Sequence, residues 1–212
     1  MPRFYIIAGE ASGDLHGSNL IKALRQQNGD AVVRAWGGDL MQAAGAELVK
    51  HYRDLAFMGF AEVISNLRTI LHNLKWCKQD IITFQPDALV LIDYPGFNLR
   101  IAKWAKKQGL RVIYYISPQL WAWHRSRVRA IRRDVDKMLV ILPFEQAFYR
   151  DHGMEVVYTG HPLLDALRPW HEQPPARSEN LVVLMPGSRK QEIQRILPVM
   201  LAVTPFFPAT RF

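Results

Sequence analysis

The stretch FYIIAGEASGD, residues 4–14, decides the fold class, because an apolar run breaks there into a loop of small and acidic residues. Similar short apolar runs recur along the chain, and each is followed by a stretch with helical periodicity. Strands are predicted at 4–8, 32–36, 88–92, 111–116, 137–142, 155–158 and 181–185, and helices at 14–27, 59–84, 97–108, 124–133, 144–151 and 189–203. This alternation predicts an α/β fold, a Rossmann-like parallel sheet with helices on both faces.

Composition limits the class of protein. The 212 residues are 49% hydrophobic and 22% charged, which suffices for one sizeable core and the beginning of a second. No apolar stretch approaches the ~18 residues of a spanning helix, and the N-terminus lacks the apolar segment of a signal peptide, so we expect a cytosolic protein. The single cysteine, Cys77, cannot form an internal disulfide, and its helical position predicts a buried, unreactive thiol.

The net charge of +8 is concentrated in one region. Residues 100–133 contain ten Lys or Arg and no Asp or Glu. Such a region suits phosphate groups, nucleic acid or an anionic membrane, although solvated helix faces are an alternative.

Four prolines between residues 162 and 180 predict an interdomain linker. We therefore expect a first domain at 1–161 and the start of a second at 181–212. The second contains one strand, one loop and one helix, and a single βα unit cannot cover both of its faces. The sequence thus predicts an incomplete second domain, and a chain that looks C-terminally truncated.

Loops that follow strands of a parallel sheet meet at its carboxyl edge, where ligands bind. The AGEASGD loop is neither a G-x-G-x-x-G fingerprint nor a P-loop, and an ordinary turn with Asp14 as helix N-cap is an alternative. Its candidate ligand-binding residues are Glu10, Ser12, Gly13 and Asp14.

Polar residues also follow three other predicted strands. Asp93 ends the apolar run of LVLIDYPGFN, residues 89–98, and poor solvation there would make its carboxylate more basic. An Asp at this position can equally cap a helix. The other candidates at this edge are Ser117, Gln119, Trp121, Trp123, Arg125 and His161.

An apolar stripe runs along the predicted helix between residues 60 and 74. Helical spacing brings its members to one face, and such a stripe packs against a core or contacts a membrane. The stripe consists of Phe60, Val63, Ile64, Leu67, Ile70, Leu71 and Leu74.

Seven motifs follow one another between Ile6 and the C-terminus: GEASGDLHG, LAFMGFAEV, LIDYPGFN, YISPQLWAWHRSR, LPFEQAFY, GHPLLD and MPGSR. Together they resemble the lipid-A-disaccharide synthase family. The resemblance implies an inverting glycosyltransferase of two Rossmann-like domains, the GT-B fold. Members transfer 2,3-diacylglucosamine from its UDP conjugate to 2,3-diacylglucosamine 1-phosphate, giving the β-1,6 lipid A disaccharide and UDP.

The resemblance also implies roles for particular residues. Asp93 matches the first acid of a family motif and would be the general base, while Gly96 stands where members often have a second acid. The loop after the first strand would lie on the acceptor side. The diphosphate would bind the residues Gly187, Ser188 and Arg189 of MPGSR. No cofactor or metal is expected.

The family works at the cytoplasmic face of the inner membrane of Gram-negative bacteria. The resemblance therefore favours peripheral membrane contact through the apolar stripe at Phe60, Val63, Ile64, Leu67, Ile70 and Leu71, with the basic region attracting anionic lipid. The expected partners are the two acylated substrates and an anionic membrane surface, without nucleic acid, and no oligomeric state is predicted.

Two alternatives differ in function. Another enzyme of this architecture, such as a UDP-sugar epimerase or a murein-precursor transferase, would also bind a sugar nucleotide. A non-catalytic nucleic-acid-binding module would use the basic region with Trp121 and Trp123, although no nucleic-acid motif is present. Because the second domain is expected to be incomplete, the 212 residues alone are expected to be inactive.

Overall fold

The computed structural model describes residues 1–55, 67–123, 127–174, 180–187 and 190–212. The sheet contains β1 (Arg3–Ala8), β2 (Val32–Gly37), β3 (Glu47–His51), β4 (Ala88–Ile92), β5 (Val112–Tyr115), β6 (Lys137–Val140) and β7 (Val157–Tyr158). The described α-helices are α1 (Ala11–Gln27), α2 (Asp39–Ala43), α3 (Leu67–Phe84), α4 (Pro95–Lys107), α5 (Leu120–Trp123), α6 (Val128–Asp134), α7 (Pro143–Asp151), α8 (Leu163–Glu172) and α9 (Lys190–Val203). Short 3₁₀ turns lie at Tyr52–Asp54 and Thr204–Phe206.

The seven strands form one parallel sheet in the order β3-β2-β1-β4-β5-β6-β7. The strand order reverses between β1 and β4, which are direct neighbours. Loops leave the carboxyl ends of these two strands in opposite directions, so a crevice opens between them. The predicted Rossmann-like parallel sheet is confirmed.

Two apolar clusters cover the two faces of the sheet, because alternate residues of a strand point to opposite sides. Tyr5 and Ile7 of β1 belong to the larger cluster, to which α3, α4, α6 and α7 contribute. Ile6 and Ala8 belong to the other cluster, together with Ile21 of α1 and residues of α2. Helices therefore lie on both faces, as predicted.

The sequence prediction missed one strand of the sheet. The strand Glu47–His51 was missed because this half-buried edge strand has charged residues where a central strand has an apolar run. Residues 181–185, predicted as the first strand of a second domain, do not form a strand. Their only described pairing is the bridge from Leu181 to Arg211, and Val183 and Met185 are 71% and 81% exposed.

The chain divides into two compact units, Met1–Asp165 and Ala166–Phe212. Much of the stretch predicted as a linker is helical, since α8 occupies Leu163–Glu172 despite Pro169 within it. Leu, Ala and Arg, which favour helix, outnumber the breakers in that segment. Among the described residues, no helix combines the length and apolar character needed to cross a bilayer.

Candidate active site

The crevice between β1 and β4 is closed at its base by contact between their two following turns. A Cβ atom on Gly9 would lie 2.3 Å from Cγ of Tyr94, so only glycine leaves room for that aromatic ring. The Tyr94 hydroxyl donates to the carbonyl oxygen of Leu55 at 3.3 Å. The packing of the Tyr94 ring against Gly9 explains the first glycine of the AGEASGD loop and holds the turn after β4 against the turn after β1.

The backbone is strained where β4 and β5 end. Asp93 and Tyr94 have φ angles of 44° and 49°, and Ile116 has a φ of 65°. Side chains other than glycine rarely adopt such left-handed conformations, and residues that do so tend to cluster at functional sites. These left-handed conformations turn the chain sharply just after β4 and place Asp93 directly before Tyr94, the N-cap of α4.

The environment of Asp93 makes its carboxyl group a stronger base than an ordinary aspartate. Burial and, to a smaller extent, the negative charge of Glu10 together raise the pKa of Asp93 to about 6, against the opposing effect of the Tyr94 backbone N–H. At neutral pH the group is therefore ionised, yet it holds a proton more readily than a solvated carboxylate. These are the properties required of a general base.

The first turn of α1 contains most of the predicted loop residues. Helix α1 begins at Ala11 with Glu10 as its N-cap, three residues earlier than predicted. Ser12 is exposed, whereas Gly13 is buried where an added Cβ would lie 3.0 Å from the Cβ of Ala8. Glu10 lies near enough to Asp93 for its negative charge to raise the pKa of that carboxyl group.

Asp14 caps a different helix from the one expected. Its Oδ1 atom accepts from the backbone N–H groups of Gly38 at 2.8 Å and Met41 at 3.0 Å, and Oδ2 accepts from Leu40 at 3.1 Å. The side chain is 3% exposed. The carboxylate satisfies the N-terminal donors of α2, so the alternative of a cap for α1 is wrong and Asp14 links α1 to α2.

The residues predicted after β5 separate into buried and exposed positions. The Ser117 hydroxyl is buried, lies 2.7 Å from the Tyr149 hydroxyl and donates to the Pro118 carbonyl. Gln119 is exposed. Trp121 packs edge-on against Phe144 with ring centroids 5.2 Å apart, and its buried indole N–H has no partner among the described residues.

Several predicted site residues fall outside the description. They are the Trp123 side chain, Arg125, Ser188 and Arg189. Gly187, which precedes the last two, has a φ of 106°, a conformation that favours glycine.

Two histidines meet at the carboxyl edge of the sheet. His161 is half-buried, and its Nδ1 atom accepts from the Leu163 backbone N–H at the start of α8. His16 of α1 is 9% exposed, and burial followed by the proximity of His161 lowers its pKa. His16 lines a cleft of about 260 Å³ together with Asn19, Tyr115, Thr159 and Asp165. The sequence analysis missed His16, although it lies one helical turn after Gly13.

Among the described residues, no group of three or more His, Cys, Asp or Glu side chains has the arrangement of a metal site.

Comparison with known proteins identifies the family. The model of the lipid-A-disaccharide synthetase family matches residues 4–204. The chain belongs to this family.

Individual lipid-A-disaccharide synthases support the assignment. The chain is 45% identical to the enzyme of Syntrophus aciditrophicus over 207 residues, which cover 92% of this chain and 53% of that protein. It is 41% identical to the enzyme of Myxococcus xanthus over 218 residues, covering 99% of this chain and 57% of that protein. The chain therefore spans about half the length of the curated relatives it matches.

Solved structures share the fold of this lipid-A-disaccharide synthetase family member. The UDP-GlcNAc 2-epimerase from Neisseria meningitidis, bound to UDP-GlcNAc, matches with a TM-score of 0.67 at 13% identity, covering 100% of this chain and 65% of that one. The spinosyn rhamnosyltransferase SpnG, complexed with thymidine diphosphate, matches with a TM-score of 0.54 at 15% identity, covering 100% of this chain and 64% of that one. At these identities the likeness shows the fold alone.

The apolar stripe of this synthetase family member divides between core and surface. Phe60, Val63 and Ile64 lie outside the described residues, as does the Leu67 side chain. Ile70 is half-buried against the larger cluster, and Leu74 is 7% exposed within it. Leu71, in contrast, is 58% exposed. Helix α3 thus directs part of the stripe into the core and leaves part at the surface.

The basic region lies on the helices next to this stripe. Helix α4 contacts both α3 and α6, so the three helices cover the same face of the sheet. Ion pairs join Lys106 to Asp136 and Arg133 to Asp134. Among the residues of this region that the structure describes, the exposed basic ones are Arg100, Lys103, Lys106, Lys107, Arg111, Arg127, Arg129, Arg132 and Arg133.

Proposed function

We propose that this chain supplies the acceptor side of a glycosyltransferase of lipid A biosynthesis. The reaction is transfer of 2,3-diacylglucosamine from its UDP conjugate to 2,3-diacylglucosamine 1-phosphate, with formation of the β-1,6 disaccharide and UDP. The observation that supports it best is a family match over residues 4–204 combined with a basic carboxylate, Asp93, at the crevice of the sheet.

In the proposed reaction Asp93 removes the proton of the acceptor hydroxyl as that oxygen attacks the anomeric carbon of the donor sugar. The bond from the anomeric carbon to the UDP oxygen breaks, and its electron pair leaves with the diphosphate. The attack comes from the face opposite the leaving group, so the anomeric configuration inverts. A pKa of about 6 keeps Asp93 ionised and ready to accept the proton at neutral pH.

The leaving diphosphate gains negative charge and needs hydrogen-bond donors. We assign this role to the loop of Gly187, Ser188 and Arg189, which precedes α9. The preceding residues are largely exposed and joined to Arg211 by a single bridge, so no sheet supports this loop within the described chain. We therefore propose that the 212 residues alone lack transferase activity.

A substrate test separates this function from other reactions of sugar nucleotides. UDP release is measured with the UDP-diacylglucosamine donor and either the acylated or the deacylated acceptor, using this chain and a preparation of the protein at the length of its relatives. We expect release only from the longer preparation and only with the acylated acceptor. Release without an acceptor, or conversion of UDP-GlcNAc to an epimer, would contradict the proposed transfer.

The acylated substrates reside in a membrane, and we propose that the protein binds the cytoplasmic face of the inner membrane peripherally. The exposed Leu71 on α3 and the basic residues of the adjacent α4 support this orientation. Apolar contact combined with attraction of Lys and Arg to anionic lipid is the usual basis of such binding.

A matched pair of variants on α3 tests the membrane contact. Leu71→Ser is expected to weaken binding to vesicles that contain anionic lipid and to leave stability almost unchanged, because Leu71 is 58% exposed. Leu74→Ser removes a core side chain and should cost about 2–5 kcal/mol of folding free energy. Vesicle co-sedimentation and thermal melting measure the two effects. Equal vesicle binding by Leu71→Ser and the unchanged chain would argue against this contact surface.

A further inference from the structure

We propose that Asn98 and Tyr114 are positioning residues that fix the direction of the Asp93 carboxylate by holding its backbone carbonyl. The inference deepens the proposed function, since it rests on Asp93 as the base. Neither residue is needed to bond the carboxylate itself, so their effect on the reaction passes through the main chain.

Two side chains from different elements converge on one carbonyl oxygen. The Asn98 Nδ2 atom, on α4, donates to the oxygen of Asp93 at 2.8 Å and to that of Ile92 at 3.2 Å. The Tyr114 hydroxyl, on β5, donates to the same Asp93 oxygen at 2.6 Å. The Asp93 N–H in turn donates to the Tyr115 carbonyl at 3.1 Å. Residues of β5 therefore bond both the backbone N–H and the backbone carbonyl of Asp93.

These bonds act at a position that would relax without them. Asp93 and Tyr94 both have left-handed backbone conformations, which persist only where the surroundings enforce them. Rotation of this turn would carry the Asp93 side chain with it. Two donors on the carbonyl resist that rotation, because any relaxation must break one or both bonds in a buried setting.

Asn98 donates these bonds although one of its own polar atoms has no partner among the described residues. Its side chain is fully buried, yet Oδ1 has no hydrogen-bond partner among the described residues. A residue chosen only for packing would not leave a buried polar atom unpaired. The amide is retained because its N–H groups serve the carbonyls of Ile92 and Asp93.

Tyr114 remains a hydrogen-bond donor at physiological pH. Burial, followed by the negative charge of Asp93 and the proximity of Tyr149, raises the pKa of its hydroxyl well above the ordinary value. The other titratable groups that influence Asp93 and its turn are Glu10 and Tyr94. Neither removes the donor from the Asp93 carbonyl.

The test compares two buried tyrosines of the same apolar cluster. Tyr114→Phe removes the bond to Asp93, while Tyr149→Phe removes a hydroxyl that is equally buried but bonds Ser117. The pKa of the Asp93 carboxyl is followed by carbon-13 NMR in the 212-residue chain. Values of kcat and KM are measured in a preparation that shows transferase activity.

For Tyr114→Phe we expect kcat to fall about tenfold, KM to stay within about twofold, and the pKa of Asp93 to fall as its carboxylate gains access to water. Because the lost bond reaches only the main chain, a shift in that pKa reports a change of position. Asn98→Ala should produce the same changes and provides a second route if Tyr114→Phe does not fold. Tyr149→Phe should change neither quantity.

Equal behaviour of Tyr114→Phe, Asn98→Ala and Tyr149→Phe in both measurements would overturn the positioning role. Failure of the proposed function gives a different result. In that case Asp93→Asn would keep full activity, while the NMR titration would still show whether Tyr114 and Asn98 control the position of the carboxylate.

Discussion

Replacement of Asp93 with Asn is expected to lower transferase turnover at least ~100-fold, the scale of lost general-base catalysis. The amide cannot accept a proton from the acceptor hydroxyl, although its size and shape are nearly those of the carboxyl group. Asn also tolerates the left-handed backbone found at this position. Steady-state UDP release, in a preparation that shows the activity, measures the effect, and KM should change much less than kcat.

Asp87→Asn provides the control for this prediction. Asp87 precedes the opposite end of the same strand, is exposed, and its Oδ2 atom accepts from the Arg3 backbone N–H. Its replacement should leave turnover unchanged. Near-normal turnover of Asp93→Asn would remove Asp93 from the reaction.

Asp93→Asn is also expected to stabilise the folded domain at neutral pH. This gain can be measured in the 212-residue chain. The folded-state pKa of Asp93 is about 6, against 3.8 in the unfolded chain, so the folded state binds the proton more tightly. Stability of the unchanged chain therefore falls as the pH rises through that interval, and the cost is complete above pH 6. Asp93→Asn lacks this cost, which amounts to at most about 3 kcal/mol. The advantage of the variant should be small near pH 4 and full at pH 7, by urea denaturation at each pH.

A gain in stability accompanied by a loss of turnover would distinguish Asp93 from a structural cap. Removal of a helix cap or a bonded core group costs stability at any pH at which the group is ionised. A residue whose ionised form is held in an unfavourable environment shows the opposite sign. The two measurements on one variant therefore test the role of this carboxylate together.

The sequence alone was sufficient to predict the position of Asp93 at the carboxyl end of β4, and the reason is local. An acid that directly follows a central apolar strand of a parallel sheet must emerge at the carboxyl edge, whatever the remaining topology is. The strand Glu47–His51 could not be found in the same way, since its pairing with β2 satisfies the backbone while its side chains stay half-buried. Edge strands of this kind carry little hydrophobic signal.

Tertiary contacts decide the roles that spacing could not predict. Ser117 follows a strand as a cleft residue would, but its hydroxyl bonds Tyr149, 32 positions later in the chain. His16 was missed because its relevance depends on His161, which approaches from the end of the domain. Local sequence determines whether a residue lies at the end of a strand or helix. The side chain with which it interacts depends instead on the packing of elements distant in the chain.

Asp14→Ala is expected to destabilise the domain more than alanine at either of the other polar residues of the GEASGD segment, Glu10 and Ser12. The substitution removes an acceptor from three backbone N–H groups, those of Gly38, Leu40 and Met41. Two of these bonds are buried, so water cannot replace the carboxylate without rearrangement. The loss is about 3–5 kcal/mol, from the unpaired donors and the lost interaction with the start of α2. Domains of this size have total stabilities of about 5–15 kcal/mol, so the variant should melt far below the unchanged chain.

Ser12→Ala is the matched control, because Ser12 lies in the same helical turn and its side chain is exposed. It should melt within a degree or two of the unchanged chain, and both variants are compared by thermal melting followed by circular dichroism. Asp14→Asn adds a sharper test, since the amide keeps one acceptor oxygen but presents an N–H to a backbone donor. Asp14→Asn should therefore lie between the other two variants. If Asp14→Ala melts with the unchanged chain, the carboxylate is not needed for folding, and its place in the segment must then be explained by the ligand at the crevice. If it melts early, any loss of turnover in that variant reflects the loss of α2 and is not a sign of contact with substrate.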